Sequence, residues 1–202
     1  MNPALPKEEN ADRRKGGVKV LGIGGSPRKS GNSDLLLASA LDGARSRGAK
    51  TDKIVLNELG FKPCQECGGC DETGVCVIED EMNIVYKKFE EADAVIIASP
   101  IFFGSVSAQT KMMVDRFQCR WIAKYILKRP WVEKRRRGIF LAVEGSRRRA
   151  FFENAKEIIM IFFKTLNIEY AGDLFFGGVD KKSAIKKDAL KMAFALGARL
   201  VI

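Results

Sequence analysis

The sequence contains no histidine. Hydrolytic triads built on serine or cysteine need an imidazole to take up the proton of the nucleophile, so this kind of catalysis is excluded. A metal site with histidine ligands is excluded as well, and any metal would have to be held by thiolate or oxygen ligands. The chain also lacks an apolar run of the roughly 18–20 residues that a membrane-spanning helix requires, so we expect no membrane partner.

The N-terminal segment MNPALPKEENADRRKGG has no hydrophobic stretch of the kind found in a secretory signal. It is polar and charged, and we expect residues 1–17 to form a flexible arm before a single domain over residues 18–202. A cytoplasmic location follows as the expectation. Disulfide frameworks are rare in that reducing compartment, so clustered cysteines are more often metal ligands or redox groups.

The charges are unevenly distributed along the chain, whose net charge is +10. Residues 120–149 hold eleven Lys or Arg against two Glu, whereas residues 61–82 hold one Lys against six Asp or Glu. The basic segment indicates an acidic partner or a phosphate, with an ordinary solvated surface as the alternative. A nucleic acid partner is not expected, because no helix-turn-helix, zinc-finger or RNP motif accompanies it.

Short apolar segments alternate with amphipathic ones along the chain. Each of five apolar segments is followed by a segment with apolar residues at helical spacing. Five such units predict a parallel sheet with helices on both faces. A single long helix is expected over SAQTKMMVDRFQCRWIAKYILK. The five predicted strands are VKVLGIGGS, TDKIVLNEL, DAVIIASP, RGIFLAVEG and IEYAGDLFFGG.

The first predicted strand runs into GGSPRKSGNS, which is rich in glycine and small hydroxyl residues and precedes a helix. Backbone N–H groups, hydroxyls and a helix N-terminus together form a cradle for phosphate, at the strand end where open parallel sheets bind ligands. The segment is not a Walker loop, and Pro27 stands where the dinucleotide fingerprint needs glycine. We predict a phosphate-binding loop, and the alternative is an ordinary polar turn.

Two segments together resemble the NADPH-dependent FMN reductase family of flavodoxin-like proteins. GSPRKSGNS looks like that family's loop around the FMN phosphate, and SPIFFGSVSAQTKMMVDR looks like its loop along the isoalloxazine ring. The resemblance implies an α/β three-layer sandwich with a five-stranded parallel sheet in the order 2-1-3-4-5. It also implies that FMN is bound by Ser26, Arg28, Ser30, Asn32, Ser33, Pro100, Ile101, Phe102, Phe103, Gly104, Glu144 and Gly145.

Residues within these segments have further expected roles. Pro100 is expected to end the third strand at the upper edge of the sheet. Gly104 is expected to let the backbone approach a planar ligand. The segment VEGSRRR, which contains Glu144 and Gly145, is expected to complete the pocket.

Most of the cysteines lie in the short segment CQECGGCDETGVC. The pattern Cys-x2-Cys-x2-Cys-x5-Cys, formed by Cys64, Cys67, Cys70 and Cys76, resembles the iron-sulfur flavoprotein branch of the same family, which carries a [4Fe-4S] cluster beside FMN. Such a cluster takes four thiolates, and a short loop can supply them. We predict a cluster loop over residues 60–80, inserted after the second strand, in which Gly68 and Gly69 permit a tight positive-φ backbone.

Alternatives to the cluster remain open. Zinc would bind through the same thiolates, and a relative without any metal would keep the cysteines as incidental residues. Cys119 lies in a predicted helix and is expected to be a small buried side chain and not a ligand.

The resemblance implies a redox flavoprotein that transfers electrons between a one-electron carrier and a small-molecule acceptor. The alternative is a cluster-free NAD(P)H-dependent FMN or quinone reductase. A third hypothesis is a DNA-binding module with structural zinc. It is disfavoured because it leaves the GSPRKSGNS and SPIFFG loops unexplained. The expected donor is a ferredoxin-like protein or a reduced nicotinamide, steered by Arg135, Arg136 and Arg137 if it is acidic. A homo-oligomer, dimer or tetramer, is expected, and no side chain is expected to act as acid or base.

Overall fold

The computed structural model describes residues 17–182 and 184–201. The predicted arm therefore lies outside the described residues, apart from Gly17. Within these described residues, no helix is both long and apolar enough to cross a membrane. The elements are β1 (Lys19–Gly24), α1 (Asn32–Arg45), β2 (Lys50–Val55), a 3₁₀ turn (Leu56–Glu58), α2 (Met82–Glu91), β3 (Ala94–Phe102), β4 (Ser105–Val106), α3 (Ala108–Arg116), α4 (Gln118–Trp121), a π-helical turn (Ile122–Ile126), β5 (Arg136–Glu144), α5 (Arg149–Thr165), β6 (Ile168–Gly177) and α6 (Lys187–Ala198).

The main sheet is parallel and has the order β2-β1-β3-β5-β6. The predicted order 2-1-3-4-5 is confirmed, because the fourth and fifth predicted strands are β5 and β6. The two-residue strand β4 was not predicted, and it pairs antiparallel with the end of β3. The cysteine-rich loop lies between the turn after β2 and helix α2, as predicted.

Helices cover both faces of the sheet and create two apolar cores. Helices α1 and α6 pack on one face through residues such as Leu37 and Ala193, whereas α2, α3 and α5 pack on the other around Phe89. Helices α1 and α6 approach so closely that a Cβ on Gly197 would lie 1.9 Å from the carbonyl oxygen of Ala40. The three-layer architecture is therefore confirmed, and one of its helix contacts requires glycine.

The predicted long helix after β4 is interrupted. Helix α3 ends at Arg116, and a π-helical turn follows the short α4. The carbonyl of Arg116 accepts a hydrogen bond from the Tyr86 hydroxyl at 2.6 Å, while the N–H of Arg120 bonds to Phe117. The Phe117 ring packs edge-on against Tyr86 and Phe89, with both ring centroids 5.0 Å away. These contacts with α2 favour an interruption at Phe117 over a continuous helix.

The expectation that Pro100 ends the third strand is wrong, because β3 continues to Phe102. The N–H and C=O of one residue in a parallel strand face the same neighbour, and the carbonyl of Ala98 accepts from Gly25, which follows β1. Pro100, two residues on, therefore faces the same side, beyond the last β1–β3 pair at Ala98. Its missing N–H costs no ladder hydrogen bond there.

Arg136, at the start of β5, has an unexpected structural role. The residue is 1% exposed, and its guanidinium donates to the carbonyls of Phe89 in α2 and Leu166 at the end of α5. Burial lowers the pKa of Arg136 to about 10, so it remains charged at neutral pH. The carbonyl ends of helices attract positive charge, and Arg136 thus ties two helices to the sheet.

Candidate functional site

A cleft lies at the carboxyl edge of the sheet, with about 570 Å³ of space that is partly open to solvent. The three segments predicted to bind FMN meet here. Among its lining residues are Ser26, Arg28, Asn32, Ser33, Pro100, Ile101, Phe102, Glu144 and Gly145.

One end of the cleft is suited to an anion. Helix α1 begins after Gly31 without a side-chain cap, and Gly31, Asn32 and Ser33 line the cleft. Free first-turn N–H groups and the helix dipole favour a negative charge at this position. Ser26 stabilises the turn that precedes the helix, because its Oγ accepts a hydrogen bond from the N–H of Arg28 at 3.1 Å. These residues fit a phosphate group.

Ser30 lies apart from the other residues predicted to bind the phosphate. It lines a neighbouring depression with Lys53 and Glu58, and it has a positive φ of 54°. Its N–H donates to a carboxylate oxygen of Asp34 at 3.2 Å. A contact between Ser30 and phosphate remains a prediction that this placement does not favour.

The side chain of Asn32 holds the segment that follows β6. Its Nδ2 donates to the carbonyls of Val179 and Lys181, at 2.8 and 2.9 Å. Its Oδ1 accepts the N–H of Ile185 at 3.2 Å. Both amide hydrogens are therefore engaged, and a phosphate contact by Asn32 would rest on its backbone N–H. This segment lines the cleft through Val179, Asp180 and Lys182, and its place there was not predicted from the sequence.

The loop predicted to hold the flavin ring is a tight hairpin. Phe102 pairs with Ser105, so Phe103 and Gly104 form a two-residue turn with φ angles of 51° and 78°. Asn and Gly are the usual residues in such turns, and phenylalanine at positive φ is strained. Phe103 is fully exposed, and Gly104 bonds through its carbonyl to Asn154 at 2.7 Å. Neither residue lines the cleft, so their predicted ring contacts remain predictions.

Buried hydroxyls join the phosphate loop to the ring loop. Ser107 Oγ donates to the carbonyl of Gly25 at 2.6 Å, and the Ser107 N–H donates to Ser99 Oγ at 3.0 Å. Ser107 also caps α3 by accepting the N–H of Thr110 at 3.2 Å. A Cβ on Gly25 would lie 1.9 Å from Thr110 Oγ1, so this position requires glycine. The two loops are therefore held in one fixed relation.

Glu144 is buried at the end of β5, on the wall of the cleft. Only 4% of the residue is exposed. Both carboxylate oxygens lack a hydrogen-bond partner in the described part of the chain. Its backbone carbonyl, in contrast, accepts the N–H of Val179 at 3.0 Å.

The cysteine loop and the α3–α4 region enclose a second cavity, of about 680 Å³ and partly open to solvent. Over residues 17–182 and 184–201, no group of three or more Cys, Asp or Glu converges on a single metal ion. A zinc ion needs its thiolates at about 2.3 Å from one point, whereas a cubane spreads four thiolates over four irons. A cavity lined by several thiols offers ligands of the kind that both centres use. The thiols that line it are Cys64, Cys67, Cys70, Cys76 and Cys119.

Arg116, the last residue of α3, fixes both ends of the cysteine loop. Its Nη1 donates to the carbonyl of Lys62 at 2.8 Å and to the Asp80 carboxylate at 2.6 Å. Its Nη2 donates to Cys76 Sγ at 3.5 Å and to the carbonyl of Ile78 at 3.3 Å. The side chain is 1% exposed. This role could not be predicted from the sequence, since arginine is normally exposed.

The loop glycines play different parts. Gly68 has a positive φ of 72°, in agreement with its predicted role. Gly69 has no positive φ, and that part of the prediction is wrong. A Cβ on Gly69 would lie 2.6 Å from a methyl group of Val77, so Gly69 serves close packing within the loop.

Cys119 is buried, as predicted, but it lies on the cavity wall beside the four loop cysteines. Its Sγ is 3.5 Å from the carbonyl oxygen of Arg116. Burial raises the pKa of the Cys119 thiol, and burial also raises that of Cys70. Because their pKa values are raised, both groups are protonated thiols at neutral pH in the absence of a metal. Binding of a metal cation would convert such thiols to thiolates.

The basic segment is divided between two edges of the sheet. Residues 135–137 lie at the start of β5, opposite the cleft, whereas Arg147 and Arg148 follow its carboxyl end and are exposed. Arg136 is buried, so its predicted steering role is wrong. Arg137 donates to the carbonyl of Arg199 at 3.0 Å.

The sheet order, the uncapped helix and the cleft at the carboxyl edge define a flavodoxin-like protein with a site suited to a phosphate-bearing planar ligand. The family model described as NADPH-dependent FMN reductase matches residues 18–167. The chain belongs to this family, and the resemblance seen in its two loops is confirmed.

Several relatives are named iron-sulfur flavoproteins. One from Methanosarcina thermophila is 35% identical over 130 residues, which are 64% of this chain and 65% of that protein. Iron-sulfur flavoprotein MJ1083 of Methanocaldococcus jannaschii is 46% identical over 99 residues, which are 49% of this chain and 51% of that protein. The matches thus span between half and two thirds of these relatives.

Solved structures show the same fold. A flavone reductase superposes with a TM-score of 0.72 at 20% identity, covering 91% of this chain and 62% of that one. The NAD(P)H:quinone oxidoreductase from Methanothermobacter marburgensis superposes with a TM-score of 0.69 at 16% identity, covering 91% of this chain and 94% of that one. The flavodoxin-like architecture is confirmed by these similarities.

Proposed function

We propose that the protein is a redox flavoprotein that binds FMN and a [4Fe-4S] cluster and passes electrons between a one-electron carrier and a small-molecule acceptor. One observation carries the proposal: the loop cysteines share a cavity whose wall is formed by the helices directly following the ring loop. The names of the relatives support a cluster in addition to the flavin.

The cleft residues fit FMN. When bound, FMN accepts electrons singly or in pairs. The uncapped start of α1 and the charge of Arg28 would hold its phosphate, and Ile101 and Phe102 would hold its ring. Among the described residues of the cleft, none is assigned a proton-transfer role.

The cysteine cavity fits a cluster that carries one electron at a time. Cys64, Cys67, Cys70 and Cys76 are the proposed ligands. The Nη2 group of Arg116 donates toward Cys76 Sγ, and hydrogen bonds to cluster sulfur are one means by which proteins set its potential. Arg116 is thus proposed to hold the loop closed around the cluster.

The partners are part of the same proposal. A ferredoxin-like protein or a reduced nicotinamide donates electrons, and the exposed Arg147 and Arg148 beside the cleft favour an acidic partner. The protein is proposed to act as a homo-oligomer, dimer or tetramer. A cytoplasmic location would keep the thiols reduced.

Anaerobic purification followed by iron analysis and visible spectroscopy tests the proposal. We expect flavin bands over a broad iron-sulfur absorbance, with about four irons per chain because a cubane cluster has four thiolate-bound irons. Cys67→Ala should lose iron and retain FMN, whereas the matched control Cys119→Ala should retain both. A colourless wild-type protein without iron would refute the cluster.

A cluster-free NAD(P)H-dependent FMN or quinone reductase is the second candidate. The observation that favours it is the exposure of Cys67, which leaves this thiol open to solvent. Rapid bleaching of the flavin by NADPH would support this candidate. Slow bleaching by NADPH combined with fast reduction by ferredoxin would support the first.

A further inference from the structure

The side chain of Glu144 has no partner although it is buried on the wall of the cofactor cleft. A buried carboxylate without a hydrogen-bond donor carries the full desolvation penalty of a charged group. Buried polar groups in native proteins are nearly always satisfied. The missing donors therefore point to whatever fills the cleft.

Arg28 and Lys182 line the same cleft as Glu144. The Nη1 group of Arg28 donates to the carbonyl of Asp180 at 3.3 Å. In the described part of the chain, no base forms an ion pair with the Glu144 carboxylate. The protein satisfies the backbone carbonyl of Glu144 through Val179 and leaves its side chain for a ligand.

The position of Glu144 selects one part of the ligand. Val143 pairs with Pro100 across the β3–β5 ladder, so Glu144 is level with Ile101 in the ring loop. The anion end of the cleft, at the start of α1, follows β1 instead. A carboxylate only accepts hydrogen bonds when ionised, and the uncharged part of FMN offers hydroxyl donors on its ribityl chain and an N–H on its ring.

We propose that the Glu144 carboxylate accepts hydrogen bonds from hydroxyl or N–H donors in the uncharged part of FMN and lowers the reduction potential of the bound flavin. Reduced flavin gains negative charge unless a proton follows each electron. A buried carboxylate opposes that gain because charges interact strongly in a poorly solvated site. The inference rests on the proposed function only for the identity of the ligand as FMN.

The test compares wild-type protein with Glu144→Gln, Glu144→Ala and the matched control Glu153→Gln. The control removes an equal charge from α5, where Glu153 pairs with Arg149 and is half exposed. The dissociation constant of FMN is measured by flavin fluorescence, and the flavin potential by anaerobic spectroelectrochemistry of the intact protein. Binding of riboflavin and of lumiflavin, which lacks the ribityl chain, separates the hydroxyl donors from the ring N–H.

Glu144→Ala should raise the dissociation constant of FMN at least tenfold. Glu144→Gln keeps an acceptor and the side-chain shape, so it should bind FMN within about threefold of wild type. In Glu144→Gln, the affinity for reduced flavin divided by the affinity for oxidised flavin should be about tenfold higher than in wild type. That ratio corresponds to a potential higher by about 30 mV for a two-electron couple.

The outcomes separate the inference from the proposed function. Wild-type protein that binds no FMN would refute the proposed function itself. Wild-type protein that binds FMN, together with Glu144 variants whose affinity and potential equal those of wild type, would refute only the inference. A potential change in Glu144→Gln that Glu153→Gln reproduces, or one toward lower potential, would also refute it.

Discussion

Asp80→Asn is expected to destabilise the cysteine loop, because Asp80 is the counter-charge of the buried Arg116. The guanidinium donates to the Asp80 carboxylate at 2.6 and 3.2 Å, and the two side chains are 1% and 11% exposed. Asp80 also accepts the N–H groups of Lys62 and Met82, each at 3.0 Å. One carboxylate thus anchors the loop start, the buried arginine and the first turn of α2.

The expected loss is about 3 kcal/mol in the free energy of unfolding. Removing one partner of a buried ion pair costs about 3–5 kcal/mol, because the other charge remains buried and uncompensated. Asparagine keeps one acceptor oxygen, and Arg116 keeps its bonds to the carbonyls of Lys62 and Ile78. We therefore expect a loss at the lower end of this range.

The matched control is Asp115→Asn. Asp115 forms an ion pair with Lys111 one turn earlier on α3, and both side chains are nearly half exposed. Such a surface pair contributes about 0.3–0.5 kcal/mol. Both variants are unfolded with urea under anaerobic conditions, with circular dichroism and iron content as the two measurements. A loss below about 1 kcal/mol for Asp80→Asn, or one equal to that of Asp115→Asn, would contradict the anchoring role.

The same pair predicts a dependence on pH. Burial opposes ionisation of Asp80, but hydrogen bonds from Arg116 and from backbone N–H groups outweigh burial and lower the pKa of Asp80. A carboxyl with a lowered folded-state pKa stabilises the fold above its unfolded pKa of about 3.9 and loses this contribution as the pH falls through the folded value. The stability difference between wild type and Asp80→Asn should therefore shrink below about pH 4.

Further changes test the cleft. Asn32→Ala removes three hydrogen bonds to the segment after β6, so urea unfolding should show a loss of roughly 2–3 kcal/mol, and proteolysis should cut that segment faster than in Ser30→Ala. Gly25→Ala places a Cβ 1.9 Å from Thr110 Oγ1, and fluorescence titration should show that FMN binding is lost. Phe103→Asn relieves a strained turn residue, and thermal unfolding should show a gain of about 1 kcal/mol; no gain would mean that the turn is unstrained.

Much of the fold was predictable because its information is local or periodic. Apolar runs mark the strands, although β3 continues past Pro100, and helical spacing marks the covering helices. The phosphate loop follows β1 directly and the ring loop lies at the end of β3. The cleft residues around Ser26 and Pro100 were therefore found from the motifs of these two loops. The shared cavity of the cysteines follows from their closeness in sequence.

The remaining contacts join residues that are distant in sequence and carry no local pattern. Asn32 meets residues about 150 positions further along, and Arg116 meets Asp80 across the cysteine loop. Arg136 lies in a run of basic residues that is typical of a solvated surface, yet it is buried between two helices. Only the folded chain shows which arginine of such a run is enclosed.

Helix α3 has a consequence for the separation between the cleft and the cysteine cavity. At its start, the N–H of Thr110 donates to Ser107 Oγ, which in turn donates to the carbonyl of Gly25 in the phosphate loop. At its end, Arg116 donates to the carbonyl of Lys62 in the cysteine loop. Nine residues at about 1.5 Å each make a spacer of about 13.5 Å. Because both ends of this spacer are held by buried side chains, motion of the exposed loops leaves the distance between the two sites unchanged within one chain.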